Sequence, residues 1–561
     1  SRAAKSITLT PEIKRMVGTQ KSTMAPNELI QALLMMEVDL LWNGGIGTYV
    51  KGSSETNLEV GDRANDALRI NGCDLRAKMM GEGGNLGFTQ LGRIEYAARG
   101  GRINSDSVDN VGGVDCSDKE VNIKILLNGL VQNGDLTVKQ RNKLLYDMTD
   151  EVSEIVLKDC YRQTHSISIT EMRGASQLKE QTRFIHNMER SGKLDRSLEF
   201  IPNDEEIADR LANGKGLTRP ELSVLLAYSK MVLKDDLVHP EITDNPYHDR
   251  LLIESFPIQL QKKYKAEMQN HPLRAEIIAT KLANDIGNDM GFNFVNRMIE
   301  ETGASVTEVA NCYSIAIAVF DLPYYWGEIE ALDNKVSTAV QTEMLFQIRR
   351  TLRRTTKWFL RHRNKTMSID ESIKYFKPSF DSVSEKFESF MEEKDVQQIH
   401  KVQNDLVKVN IPEHIAKRIA QLTVLFSCMD IAEVAETEGC SIDLVADLYF
   451  TLGDRLDLHW FLDQITKQPV TNHWQALARS SFREELDWQQ RSISSVVIKK
   501  YKDAKDTQLM ADKWFEESHQ PIGRWLSMLT EFRVSDSHDF AKFSVALREL
   551  MLLSLHCESS K

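Results

Sequence analysis

The sequence predicts a mainly α protein that opens with part of an α/β domain. Two observations predict the α/β part. Glycine is concentrated, with 15 of the 29 glycines lying between Gly44 and Gly113. Eight of these glycines fall in three turns, and each turn follows a short apolar run. A third observation predicts the helical remainder. From Ser117 onward the chain repeats helix-start signatures, with apolar residues three and four apart.

The lead-in is helical. Pro11 follows Thr10, an N-cap residue, and Pro26 opens a second helix to about residue 36. The alternation then begins. Val38-Asp39-Leu40-Leu41-Trp42 predicts a buried strand, ended by Asn43-Gly44-Gly45-Ile46-Gly47. Residues 58–70 have helical spacing, and 76–81 predict a second strand, followed by Glu82-Gly83-Gly84-Asn85-Leu86-Gly87. Residues 89–99 predict a helix and 102–106 a third strand, followed by Asp109-Asn110-Val111-Gly112-Gly113-Val114-Asp115-Cys116-Ser117. Strands alternating with helices imply parallel pairing with right-handed crossovers. All three glycine turns then lie on the carboxyl edge, where open α/β sheets bind ligands.

Ser117-Asp118-Lys119-Glu120 has the form of a capping box, with serine at the cap and glutamate three residues on. The same form recurs at Thr137-Val138-Lys139-Gln140, whose helix is expected to reach about residue 163, at Thr218-Arg219-Pro220-Glu221, and at Ser305-Val306-Thr307-Glu308. The weakest joins are expected near Asn203-Asp204 and at Lys377-Pro378-Ser379.

A length of 561 residues suggests three or four domains at about 100–200 residues each. A net charge of −12 argues against a general nucleic-acid binder. Seven scattered cysteines without a CxxC pair predict reduced thiols and a cytoplasmic location. No run of 18 apolar residues occurs, so no membrane span is expected. The start Ser1-Arg2-Ala3-Ala4-Lys5 has neither Met nor a signal segment, which is the form of an excised fragment.

Each glycine turn has two readings. Gly44-Gly45-x-Gly47 is either a tight turn or a place for close ligand approach; it is not the G-x-G-x-x-G fingerprint, which the chain lacks. Asn85 beside Gly83-Gly84 offers a donor and an acceptor to a ribose or carboxamide, or it is an Asn in a left-handed turn. Ser117 opens a helix whose N-terminus attracts carboxylates, or it merely caps it. The basic run Arg349, Arg350, Arg353, Arg354, Lys357, Arg361 and Arg363 is either a nucleic-acid or membrane face or a solvated helix paired with acidic neighbours; the second reading is preferred. No metal site is expected, since HExxH and Cys/His clusters are missing.

The turns, in this order, resemble the end of the dinucleotide-binding domain of glutamate dehydrogenases, and their wording fits the large NAD-specific bacterial class best. Residues 39–50, 81–87 and 116–122 carry the resemblance, with Gly216-Leu217-Thr218-Arg219-Pro220-Glu221-Leu222 in the helical part. The smaller hexameric enzymes share Glu-Gly-Ala-Asn-x-Pro-x-Thr, then Asn-Ala-Gly-Gly-Val-x-x-Ser. Here Glu82, Gly83, Asn85 and Thr89 match the first pattern, and Asn110, Gly112, Gly113, Val114 and Ser117 the second. Gly84, Gly87 and Val111 depart from it.

The resemblance implies the C-terminal part of a Rossmann-like domain over 1–120 and a helical domain over 121–561, possibly as two subdomains. It implies NAD as cofactor, held by Gly44, Gly45, Asn85 and Asn110, and a glutamate or 2-oxoglutarate pocket lined by Val114 and Ser117. It places the family's catalytic lysine, aspartate and glycine fingerprint earlier than this chain, so no catalytic residue is expected here and the chain alone is expected to be inactive. A homo-oligomeric enzyme of amino-acid catabolism is implied. The alternative is a non-catalytic helical scaffold whose glycine turns are only turns.

Overall fold

The computed structural model describes residues 2–504, 506–534 and 539–559; the side chains of 556–559, Cys557 among them, lie outside the described residues. Packing divides the chain into two compact units, Ser1–Glu300 with Ala304–Ala310, and Glu301–Gly303 with Asn311–Lys561. Helix dominates both, as expected from the apolar spacing.

In the first unit, strands β1 (Ile7–Thr8) and β2 (Thr23–Met24) form a small antiparallel pair. Strand β3 (Leu40–Asn43), β4 (Val50–Lys51), β5 (Ile70–Asn71) and β6 (Met79–Glu82) follow. β3 pairs with β6 and β4 with β5, both in parallel, and Leu40 faces Met79 while Asn43 faces Glu82. Buried Val50, Ile70, Met80, Phe88, Tyr96 and Ile103 pack as one core. The parallel direction is therefore as expected. A sheet of three consecutive strands is not formed among the described residues, because Arg102 makes only an isolated bridge to Met79. Ser105 starts the next helix three residues later, leaving no length for a third strand.

The expected helix over 58–70 is also absent. Asn57–Val60 ends at Gly61, whose φ of 75° is left-handed. Asp62 then accepts from Thr48 N at 2.8 Å, and Arg69 is buried with its Nε donating to Thr48 O. These contacts give the segment to the sheet rather than to a helix. The helix expected from Thr137 is capped as read, by Thr137 and Gln140, but it ends at Asp147 and a second helix, Thr149–Arg173, continues the path. The starts at Thr10, Thr218 and Ser305 form as read. The join expected at Asn203 is a helix cap, with the side chain accepting from Glu205 N and Glu206 N.

In the second unit, Pro378 lies inside the unbroken helix Ile369–Phe390, so the expected join there is not one. An interior proline costs about 3 kcal/mol. Phe376 and Phe380 beside it are fully buried, and each contributes about 1.5–3 kcal/mol, which outweighs that cost. The basic run lies on the helix Thr338–His362, which buries Leu352, Thr355, Trp358 and Phe359. Arg354 pairs with Asp487 at 2.9 Å, and Lys357 with Glu301 at 2.7 Å and Glu484 at 2.6 Å. This is the preferred reading of the run: a helix that meets acidic neighbours.

Asp430 is fully buried in this unit. It accepts from Trp358 Nε1 at 3.1 Å and Tyr449 OH at 3.3 Å, with Arg491 Nη1 at 3.4 Å. Burial pushes its carboxyl up to about 7, with Arg491 opposing the rise. An unfolded aspartate titrates near about 3.9. Between those values the folded state holds a proton that the unfolded state has lost, so stability falls as pH rises from about 4 to about 7. Asp430→Asn removes this slope while keeping an acceptor for Trp358. Its stability relative to the parent is expected to improve across that window, by on the order of a few kcal/mol. Denaturant melts of both proteins at pH 4 and 7 check this; a difference that stays constant with pH would refute it.

Cys73, Cys116, Cys160, Cys428 and Cys440 are free thiols. No helix of the described residues is long and apolar enough to cross a membrane.

Candidate functional site

The parallel pairing of β3 with β6 sets their following turns side by side. Gly83 N donates to Asn43 O at 2.9 Å. A side chain at Gly84 would stand 2.8 Å from Gly45 O, so the two turns touch through backbone. A Cβ at Gly81 or Gly83 would stand only about 2.5 Å from the Trp42 indole, which packs against both. Gly44 and Gly45 differ: a Cβ there meets only ordinary contacts, and both are exposed. Of the first turn, the glycine that geometry requires is Gly47, with φ of 130° and Asn65 Nδ2 2.5 Å from its Cβ position.

The third turn joins the second through side chains. Asn110 Nδ2 donates to Asn85 Oδ1 in a short hydrogen bond. The two amides singled out from the sequence are therefore in contact. Asn110 ends the short helix Asp106–Asp109 and at once opens the helix Val111–Gln132. This corrects the capping-box reading of Ser117. The helix starts six residues before Ser117, whose hydroxyl instead donates to Gly113 O at 3.1 Å within the helix. The physical reason is packing. The first turn packs on Val156 and Cys160 of the helix Thr149–Arg173, and a Cβ at Gly112 would meet both at ordinary contact distance.

Asn110, Val114 and Ser117 consequently fall at i, i+4 and i+7, on one face of that helix. Val114 is 71% exposed and Ser117 is exposed. The helix N-terminus still lies at the site. Its first amides lack intrahelical partners and carry partial positive charge, which suits an anionic ligand.

Beneath the turns runs a buried ionic network that the sequence reading missed. Glu82, fully buried at the end of β6, accepts from Arg93 Nε at 2.7 Å and Nη2 at 3.0 Å, and from Phe88 N at 3.1 Å. Asp109 accepts from Glu82 N at 3.2 Å and from Asn104 Nδ2 at 2.7 Å. Asn104 Oδ1 accepts from Arg219 Nε, and Arg219 also pairs with Glu171 at 2.9 Å. Burial pushes the carboxyls of Glu82 and Asp109 above their ordinary values; the Arg93 guanidinium opposes the rise at Glu82, and the Asn104 amide opposes it at Asp109. Asp106 completes the ring, accepting from Leu86 N at 2.9 Å and lying 3.3 Å from Arg93 Nη2. A polar network so fully partnered holds the second and third turns in one geometry.

On the buried face of the Val111–Gln132 helix, Asp115 lies 3.5 Å from Lys119, which also meets Asp159 at 3.2 Å. Burial pushes Asp115 up to about 6, with Lys119 opposing. The i,i+4 spacing of Asp115 and Lys119 was the signal for this pair. A cleft of about 480 Å³ borders the network, lined by Trp42, Gly81, Asp109, Tyr161 and Arg219. That volume is within the range of small-molecule sites.

Comparison with known proteins gives this arrangement a family. Residues 214–552 match the family described as glutamate dehydrogenase, C-terminal, and residues 1–170 match the bacterial NAD-glutamate dehydrogenase catalytic domain. The chain belongs to the bacterial NAD-glutamate dehydrogenase family. NAD-specific glutamate dehydrogenases from Pseudomonas aeruginosa and Halomonas elongata are each 45% identical over 553 residues, 99% of this chain and 34% of theirs. The one from Mycobacterium tuberculosis is 34% identical over 556 residues, 98% of this chain and 34% of its own. The chain thus spans about a third of the length of the curated relatives it matches. In this chain, the catalytic-domain match contains all three glycine turns and the network from Glu82 to Asp109.

Proposed function

We propose that this chain supplies one wall of the active site of an NAD-dependent glutamate dehydrogenase. The parent reaction is L-glutamate, NAD and water to 2-oxoglutarate, NADH and ammonium. The observation that carries the reading is the contact between Asn85 and Asn110, at the carboxyl edge of parallel strands and the N-terminus of a 22-residue helix.

NAD, when bound, supplies the hydride acceptor. The residues here suit its ribose and nicotinamide end: two amides that both donate and accept, and the exposed backbone of Gly44 and Gly45. The chain has no G-x-G-x-x-G fingerprint for the pyrophosphate. Val114 and Ser117 lie along the same helix face as Asn110 and line the pocket for the substrate's side-chain carboxylate. The Glu82–Arg93 pair keeps the Asn85 turn fixed, so the amide orients without reorganisation at the moment of reaction. The Rossmann-like completion of the sheet, a homo-oligomer and a cytoplasmic location are part of the same reading.

Two measurements test it. The 561-residue chain by itself is expected to produce no NADH from glutamate, because the reading assigns it no catalytic lysine; measurable turnover would overturn that. In the full-length enzyme, Ser117→Ala is expected to raise KM for glutamate, by up to about tenfold for one lost hydrogen bond. An unchanged KM would remove Ser117 from the site.

A further inference from the structure

Three helices of the second unit line an open cavity of about 450 Å³. The last turn of Thr338–His362 brings Arg361 and His362 to it, Cys428–Glu438 brings Glu433, and His473–Lys500 brings Trp488, Arg491 and Ser492. Residues 488, 491 and 492 are three and four apart, so they share one helix face.

The cavity has an aromatic wall and two guanidinium groups. His362 stacks on Trp488, with ring centroids 5.7 Å apart and planes at 25°. Arg491 lies over the Trp488 ring at 4.4 Å. Its one hydrogen bond among the described residues goes from Nη1 to Asp430, leaving other N–H donors of its five. Arg361 donates from Nη2 to Glu301 O at 3.2 Å and pairs with Glu484 through Nη1. Neither ring nitrogen of His362 has a hydrogen-bond partner among the described residues. Burial and then the charges of Arg491 and Arg361 push its imidazole down to about 4, so the ring is neutral and sits in a positive field. Asp430 and Glu484 do not line the cavity; Glu433 is its one lining carboxyl, and burial pushes it up toward the neutral form.

We propose that this cavity binds a small organic anion, its carboxylate or phosphate held by Arg361 and Arg491 and its body against the Trp488–His362 pair. The two guanidiniums supply charge-assisted donors, and Ser492 adds a hydroxyl. The volume exceeds that of a bare oxyanion and fits a metabolite of several carbons. The lining parts of the two rings give that body an apolar contact.

Titration calorimetry on the full chain tests this with two probes, succinate for the carboxylate and glycerol phosphate for the phosphate. At least one is expected to bind saturably, and the one that does identifies the group. Arg361 lies at an exposed helix end, so Arg361→Gln is expected to fold and to weaken binding at least tenfold. Ser492→Trp fills the cavity and is expected to abolish binding; circular dichroism confirms that both variants are folded. No saturable heat with either probe, or affinity unchanged in both folded variants, overturns the proposal.

Discussion

Arg93→Ala is expected to destabilise the first unit by about 3–5 kcal/mol, the cost of removing one partner from a buried ion pair. Glu82 has no exposed surface, and Arg93 supplies two of the three hydrogen bonds its carboxylate accepts. Removing the guanidinium leaves the carboxylate with Phe88 N alone. Its options are an uncompensated buried charge or protonation, and burial already favours the second. The unfolding midpoint of Arg93→Ala is therefore expected to recover partly as pH is lowered, since protonated Glu82 needs no counter-ion. Arg93→Lys is expected to lose less, because it keeps the charge but not the two-pronged geometry. Urea unfolding of the full chain measures this. Trp42, packed on Gly81 and Gly83 next to Glu82, is the indole nearest the change. A loss below about 1 kcal/mol would show that the pair is not what fixes the turn.

Asn110→Ala is expected to lower kcat/KM for glutamate in the full-length enzyme by about 10–100-fold, with little effect on folding. The amide is only partly buried, and its side chain makes no helix-cap hydrogen bond, so the Val111–Gln132 helix loses little. What is lost is the contact with Asn85 and the donor that both amides offer a cofactor carboxamide. Two hydrogen bonds at about 0.7–1.4 kcal/mol each give that range. Asn110→Asp separates the causes. A carboxylate at a helix N-terminus stabilises the helix by about 0.3–1 kcal/mol, so this variant is expected to be at least as stable as the parent. It cannot donate to Asn85, and its activity is expected to fall as far as that of Asn110→Ala. Parent-like kinetics in both variants would remove the amide pair from the site.

The helix starts at Thr10, Thr137, Thr218 and Ser305 were legible because a cap is local. Its hydrogen bonds join residues three apart, whatever the rest of the chain does. Ser117 shows the limit of that rule. It has the same spelling, yet the helix runs through it. Gly112 packs on the Thr149–Arg173 helix and Asn110 is already committed to Asn85, so tertiary contacts moved the start to Val111. The segment 58–70 failed for a similar reason: its apolar spacing was helical, but Asp62 and Arg69 bind the backbone of Thr48. The residues proposed for the site fared unevenly. Asn85 and Asn110 meet directly. Val114 and Ser117 share a helix face with Asn110. Gly44 and Gly45 lie on the first turn, which meets the second through Gly45 and Gly84.

The sequence by itself determined the helical class, the parallel direction of the main strand pair and the placing of the first two glycine turns at its carboxyl edge; the third lies where the helix Val111–Gln132 begins, with no strand before it among the described residues. These follow from periodicity, caps and turn chemistry, all short in range. Only the tertiary structure decided that Glu82 and Arg93 form a buried pair, that Arg102 bridges without forming a strand, and that the turns converge through Gly84 and Asn110. Those outcomes depend on desolvation and on contacts between residues far apart in the chain, and no local pattern encodes them.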